Sequence, residues 1–219
     1  MNNFSYARAE SVETAISEIG KAETAKFIAG GTNLIDLLKY NIEKPAHLVD
    51  VGRLPFNKIE EIENGLRLGA LCTNAETAYN ESVEEKYPLL SLAILNGASA
   101  QLRNAATNGG NLMQRTRCYY FYDASLPCNK REPGTGCPAI EGFNRIHAVL
   151  GTSDACIATH PSDMCVALAA LDATVNVEGS GGKRAIKFED FHRLPENNPE
   201  KDNTLAPDEV IISIDLPEN

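Results

Sequence analysis

Between Arg115 and Gly142 the sequence loses every hydrophobic period on which a helix or strand can be built. Pro127, Pro133, Gly134, Gly136 and Pro138 interrupt it, and three cysteines fall inside it. Compact domains seldom carry so long an irregular segment without a function, so something other than an apolar core is expected to hold it. The cysteines supply a candidate. Cys118, Cys128, Cys137 and, just beyond, Cys156 are spaced C-x9-C-x8-C-x18-C. Four thiolates suit one metal centre, but these intervals match neither the paired CxxC of zinc ribbons nor the compact ferredoxin run. Spacing therefore leaves iron–sulfur and zinc equally open. The even number of six cysteines would also allow disulfides, but Met1 to Gly20 has no export signal to support that context. Cys72 follows a strand and Cys165 sits on an apolar helix face. Both read as small buried hydrophobes, with Cys165 the replacement if one ligand is misassigned.

The flanking sequence is regular and of α+β class. Helical spacing runs from Ser11 to Ile19, a short apolar strand from Lys26 to Ala29, a helix from Leu34 to Tyr40 and a buried strand from His47 to Val51. This βαβ-like unit forms a first lobe over residues 1–57. A second lobe, 58–219, begins with a strand at Leu66 to Leu71. Helices follow over about Asn74 to Tyr79 and Pro88 to Leu102, then a loop at Asn108 to Asn111 and the insertion at about 115–156. Strands are expected at Ile146 to Leu150 and Ala155 to Thr159, a helix at Ser162 to Leu171, and strands at Thr174 to Val177 and Val210 to Leu216.

A formal charge of -10, with bases scattered among acids, repels polyanions and excludes nucleic acid as a partner. No apolar run reaches the ~18 residues that span a bilayer, so direct membrane insertion is not expected. The cytoplasm is the expected compartment, with the periplasm as the alternative if a signal-bearing partner subunit carries the chain across. Arg103, Arg115, Arg117, Lys130 and Arg131 read by default as solvated surface, and the run Tyr119 to Tyr122 as ordinary packing. His47, His147, His160 and His192 are isolated, and no residue suits nucleophilic or acid–base catalysis.

Two glycine turns remain. Phe27-Ile28-Ala29-Gly30-Gly31-Thr32-Asn33-Leu34 is strand, paired glycines, polar pair, then helix, which offers bare backbone N–H groups and a helix N-terminus to a pyrophosphate. Neither GxGxxG nor GxxxxGK[ST] is present, which excludes the Rossmann and P-loop readings. Thr107-Asn108-Gly109-Gly110-Asn111 is the second such turn, and by spacing alone both are also ordinary turns.

FIAGGTNL, the segment Gly97 to Asn104 (GASAQLRN), TNGGN, His160-Pro161-Ser162-Asp163 and the closing Pro207 to Ile214, taken in order, resemble the FAD-binding subunit of molybdenum hydroxylases, the xanthine dehydrogenase and aldehyde oxidoreductase family. The resemblance covers nearly the whole chain. It implies the two-lobed FAD-binding fold shared with the vanillyl-alcohol oxidase group. It also implies an electron-transfer role between a [2Fe–2S] small subunit and an external acceptor, in a complex whose molybdenum-cofactor large subunit oxidises the substrate. By the same resemblance Lys26, Phe27, Ile28, Ala29, Gly30, Gly31, Thr32, Asn33 and Leu34 wrap the FAD pyrophosphate, Thr107, Gly110 and Asn111 meet it from the other lobe, and Asp163 and Ile211 add contacts. The sequence around Arg115 to Asp123, Pro127 to Arg131 and Gly136-Cys137 is similar to the bacterial aldehyde oxidoreductase version, which implies a [4Fe–4S] cluster on Cys118, Cys128, Cys137 and Cys156. The alternatives are a non-redox binding module fixed by a structural zinc and a free-standing flavoprotein oxidoreductase. Family members continue past the last strand into a further lobe, so the chain, ending at Asn219, is expected to be truncated and to hold FAD more weakly.

Overall fold

A computed structural model describes residues 1–218; Asn219, where the sequence ends, lies outside the described residues. Strand β1 (Ser5–Arg8), helix α1 (Val12–Ile19), strand β2 (Ala25–Ile28), helix α2 (Leu34–Lys39) and strand β3 (His47–Asp50) alternate along the first part of the chain. Ser11 caps α1 by accepting the Thr14 N–H at 3.2 Å. The three strands form a parallel sheet in the order β1-β3-β2, with crossover helices as parallel pairing demands. Val12, Ala15 and Ile19 of α1 pack on Val49, Val51 and Leu54. Val210, from the far end of the chain, completes this small core and ties it to the second layer.

The second layer is an antiparallel five-stranded sheet in the order β4-β5-β8-β6-β7. Its strands are β4 (Ile59–Ile62), β5 (Gly65–Gly69), β6 (Thr174–Gly179), β7 (Gly182–Lys187) and β8 (Val210–Pro217). Burial alternates with period two along β6, as expected of a sheet with one covered face. The cover is helical: α3 (Asn74–Ala78), α4 (Glu81–Lys86), α5 (Pro88–Asn96), α6 (Ala100–Arg103), α7 (Asn108–Leu112) and α9 (Asp163–Ala170), with α8 (Tyr119–Tyr122) inside the insertion. Leu90, Ile94, Met164 and Leu168 interdigitate with Leu66, Leu68, Val175, Val177, Ile214 and Leu216 in the main core.

Three expectations need correction. The helix foreseen from Pro88 to Leu102 breaks after Asn96, because Ala98 takes a left-handed φ of 54° and the Arg103 guanidinium claims the carbonyls of Leu95, Gly97 and Ala98. The loop expected at 108–111 is the helical turn α7, capped by Thr107. The strands expected at Ile146 to Leu150 and Ala155 to Thr159 do not form. Their backbones meet through Ala148 N to Ile157 O at 2.9 Å and one isolated Ser153–Cys156 bridge. Val149 and Leu150 stand 90% and 88% exposed, so their apolar alternation faces no core. Strands β1, β4 and β7 and helices α4 and α8 had no sequence expectation.

The second glycine turn is fixed by one buried amide. Asn108, fully buried, accepts from Asn74 Nδ2 and Thr77 Oγ1 and donates to the Gly69 carbonyl at 3.1 Å. Asn108→Ala should lower unfolding free energy by about 2–4 kcal/mol, since it strands three buried partners on α3 and β5. Urea denaturation checks this, with an unchanged m-value expected.

Candidate functional site

The first glycine turn exists in its observed form only because position 30 has no side chain. A Cβ there would stand 1.8 Å from the Ala105 carbonyl oxygen, so the turn after β2 lies directly against the chain between α6 and α7. Gly31 follows with φ of 71°, in the left-handed region, and its carbonyl accepts the Ile35 N–H to start α2. Asn33 occupies the N-cap position of α2, but its side chain does not cap. Its Oδ1 instead accepts the Arg115 N–H at 2.9 Å, leaving a buried Nδ2 without a partner. Since a peptide N–H can bond only to the oxygen, this contact also fixes which end of the amide is which. Lys26 is exposed and reaches Glu43 at 3.2 Å; Phe27 and Ala29 pack on the small core, and Ile28 accepts the Val51 N–H. Thr32 and Leu34 are half-buried at the turn.

The second turn faces the first. Thr107 is buried and its hydroxyl accepts the Gly110 N–H at 3.1 Å, while the Gly109 N–H donates to Ala70 at 2.8 Å. Asn111 is committed to the frame: it donates to Asn74 Oδ1 and accepts from Gln114 and from the Ser162 hydroxyl, at 2.5 Å for the last. Ser162 in turn caps α9. Asp163, exposed in the first turn of α9, sets a carboxylate oxygen beside Gly97, where a Cβ would approach it to 3.1 Å. Ile211 is buried in the main core beside Gly109, whose built Cβ would lie 3.6 Å from it. The Gly30 turn thus lies against the chain just before Thr107, Asn111 ties the second turn to α3 and to Ser162, and Asp163 and Ile211 sit beside Gly97 and Gly109.

Charged residues read from sequence as solvated surface prove to be buried. The Arg115 guanidinium, its side chain 17% exposed, donates to Glu43 and to Asp202, both at 2.8 Å, and lies 4.9 Å from the Phe121 ring centroid. Lys130 pairs with Asp202 at 2.5 Å and donates to the Pro199 carbonyl at 2.7 Å. Lys26–Glu43–Arg115–Asp202–Lys130 is therefore one chain of alternating charge that runs from the first glycine turn into the cysteine-rich insertion. Burial alone would push Asp202 and Glu43 up, but Arg115 and Lys130 on Asp202, and Lys26 and Arg115 on Glu43, outweigh it and hold both carboxyls below their ordinary range. These positions gave no signal in sequence because a charge run looks the same whether paired or solvated. Arg117, in contrast, is exposed. Arg131 is half-buried and donates to the carbonyls of Tyr120, Phe121 and Leu126, so it pins the insertion to itself.

Within the insertion Cys118, Cys128, Cys137 and Cys156 line one small cavity together with Tyr120, Phe121, Lys130 and His147. Three of the four are buried and Cys137 is half-buried. Phe121, fully buried, packs with Cys118 and Cys128 against Leu37 and Ile42, so the cavity wall is continuous with α2. Tyr119 is more than half exposed, so the aromatic run is only in part ordinary packing. His147 Nε2 lies 3.1 Å from Cys118 Sγ, and the Ala158 N–H points at Cys156 Sγ at 3.4 Å. Burial, with the neighbouring cysteines adding to it, pushes the Cys118 and Cys156 thiols up. Among the described residues no three of these sulfurs lie within 4.8 Å of one another. A tetrahedral zinc with ~2.3 Å bonds would hold its sulfurs roughly 3.8 Å apart. Cys72 and Cys165 stand apart from the cavity as buried thiols, raised by burial to about 11 and about 12.

The sequence profile of the FAD binding domain in molybdopterin dehydrogenases matches residues 2–219. The chain is 52% identical over 219 residues to the aldehyde oxidoreductase FAD-binding subunit PaoB of Escherichia coli, covering 99% of this chain and 69% of that protein. It is 28% identical to the glyceraldehyde dehydrogenase medium chain of Sulfolobus acidocaldarius, covering 88% of this chain and 53% of that one. Among solved structures, carbon monoxide dehydrogenase of Hydrogenophaga pseudoflava superposes over the whole chain and 60% of its counterpart, with a TM-score of 0.72 at 23% identity, a likeness of fold.

The depressed carboxyls of the charge chain have a consequence for acid stability. A carboxyl whose folded pKa lies below its unfolded one adds stability that is fully present above the ordinary carboxylate range and is lost as pH falls through the folded value. Asp202→Asn should therefore cost about 3 kcal/mol at neutral pH, because Arg115 and Lys130 lose a buried counter-charge. It should also flatten the fall in stability below the usual Asp range. Denaturation series from pH 7 down to pH 3 check both.

Proposed function

We propose, from the premise that the chain belongs to the family of FAD-binding domains of molybdopterin dehydrogenases, that it is the flavin-bearing electron-transfer subunit of a molybdenum-dependent aldehyde or xanthine-type dehydrogenase. It receives electrons from the [2Fe–2S] small subunit of a complex whose large subunit carries the molybdenum cofactor, and passes them to an external acceptor. The observation that carries this reading is the contact of Gly30 with Ala105, which sets two glycine turns face to face.

The residues fit FAD. The Gly30–Asn33 backbone and Asn33 Nδ2 present donors without side-chain obstruction, and the unpartnered Asn33 amide is a buried donor in want of an acceptor such as a pyrophosphate oxygen. Lys26 supplies a nearby positive charge. Thr107 and Asn111 hold the second turn, Ile211 backs it from the core and Asp163 adds a contact, in a division of residues 1–57 and 58–219 that leaves the cofactor at the lobe junction. FAD accepts electrons singly or in pairs, and the protein's share is position and electrostatics.

The residues also fit a [4Fe–4S] cluster on Cys118, Cys128, Cys137 and Cys156. Four thiols share one buried cavity, and an imidazole and a peptide N–H lie at hydrogen-bond distance from two of the sulfurs. Lys130 on the cavity wall and Arg115 behind it offset the negative charge of the thiolates. The cluster would lie next to the charge chain that reaches the flavin turn.

Protein purified anaerobically should show flavin bands over a broad iron–sulfur shoulder, with roughly four irons per chain. Gly30→Ala should weaken flavin binding at least tenfold, about 1.4 kcal/mol, with iron retained. Cys128→Ser should lose iron with flavin retained. A colourless protein holding one zinc on the four cysteines would overturn the relay reading in favour of a structural module.

A further inference from the structure

A second group of metal-ligating side chains lies outside the cysteine cavity. His160 comes from the extended chain before α9, Cys165 from α9 itself and His192 from the segment after β7, yet one donor atom of each lies within 4.8 Å of the other two. The two imidazole rings are 4.1 Å apart at their centroids. His192 Nε2 lies 3.0 Å from the Leu112 carbonyl, which can only accept, so Nε2 carries the ring proton and Nδ1 the lone pair. A backbone carbonyl on one ring nitrogen is the usual support of a histidine that ligates through the other. His160 Nε2 is buried with no partner at all.

Burial, with His192 beside it, pulls His160 down to about 4, and burial lowers His192 as well. Cys165 is 6% exposed, and the first turn that carries it is fixed by its own N–H, which donates to Ser162 Oγ at 3.0 Å. Asp202 and Lys130 are the charged groups whose fields act on His160, and Asp202 acts on His192 too.

We propose that His160, Cys165 and His192 form a second metal site, which takes a borderline-soft divalent ion of the zinc type through two imidazole nitrogens and one thiolate. Two nitrogens and a sulfur suit such an ion better than calcium or magnesium, which want oxygen. The fourth tetrahedral position is left to water or another small ligand. On binding, Cys165 gives its proton to solvent and the ion takes the vacated lone pair. The site stands on its own residues and does not depend on the flavin or the cluster.

The test uses the full chain dialysed against Zn2+, with zinc counted by mass spectrometry and its neighbours read by X-ray absorption at the zinc edge. The expected result is one zinc with two nitrogens and one sulfur, lost in Cys165→Ala and His192→Gln, kept in Cys118→Ser, and raising the Tm of the wild-type protein but not of Cys165→Ala. No bound zinc, an all-sulfur shell, or zinc unchanged in both Cys165→Ala and His192→Gln would overturn the site. The wild-type absorption edge reports ligand type by itself, so a variant that fails to fold does not leave the question open.

Discussion

Burying the guanidinium of Arg115 obliges three stretches far apart in sequence to meet. Arginine stays charged in any protein interior, so its burial requires anions and acceptors with fixed geometry. Glu43 comes from just beyond α2, Asp202 from the chain before β8, and the aromatic face from Phe121 in the insertion. The Arg115 backbone N–H adds the side chain of Asn33 from the glycine turn. Lys130 then shares Asp202 and draws in the Pro199 carbonyl. One residue thus orients the Asn33 amide at one end and anchors the wall of the cysteine cavity at the other.

That arrangement answers how a segment without hydrophobic period stays folded. The insertion has only a small apolar core, Phe121 with Cys118 and Cys128 on Leu37 and Ile42. Further order comes from charge pairs, from carbonyls gathered by Arg131 and from side-chain bonds of Asn129, Thr135 and Tyr120 to the backbone. Polar scaffolding of this kind stabilises little unless every partner is present, so removing one member should be felt along the whole chain of contacts. The glycine turns depend on a different constraint, backbone contact at Gly30, which the main core backs through Asn108.

Much of the frame was legible in the sequence. The 3.6 and 2.0 periods marked α1, α2, β3, β6 and β8 because each buries one face on a core. The glycine turns and the four cysteines stood out by composition, and the cavity that gathers Cys118, Cys128, Cys137 and Cys156 joins residues which spacing alone left unassigned. What sequence did not disclose was tertiary. Ile146 to Leu150 alternates like a strand but finds no sheet edge, and Val149 stays in solvent. The helix through Gly97 broke because Arg103 competes for its carbonyls. Arg115 and Lys130 looked like solvated charges because their anions, Glu43 and Asp202, lie 72 residues away in each case. His160, Cys165 and His192 share no motif, and only the packing of α9 brings them together.

The central claim is that Arg115 couples the proposed flavin turn to the proposed cluster cavity. It is tested most directly in Arg115→Met, by measuring flavin affinity and iron content on the same folded sample, with circular dichroism establishing that the sheets are retained. Loss of both together is the expected result. Retention of both, or loss of iron with flavin affinity unchanged, would contradict it.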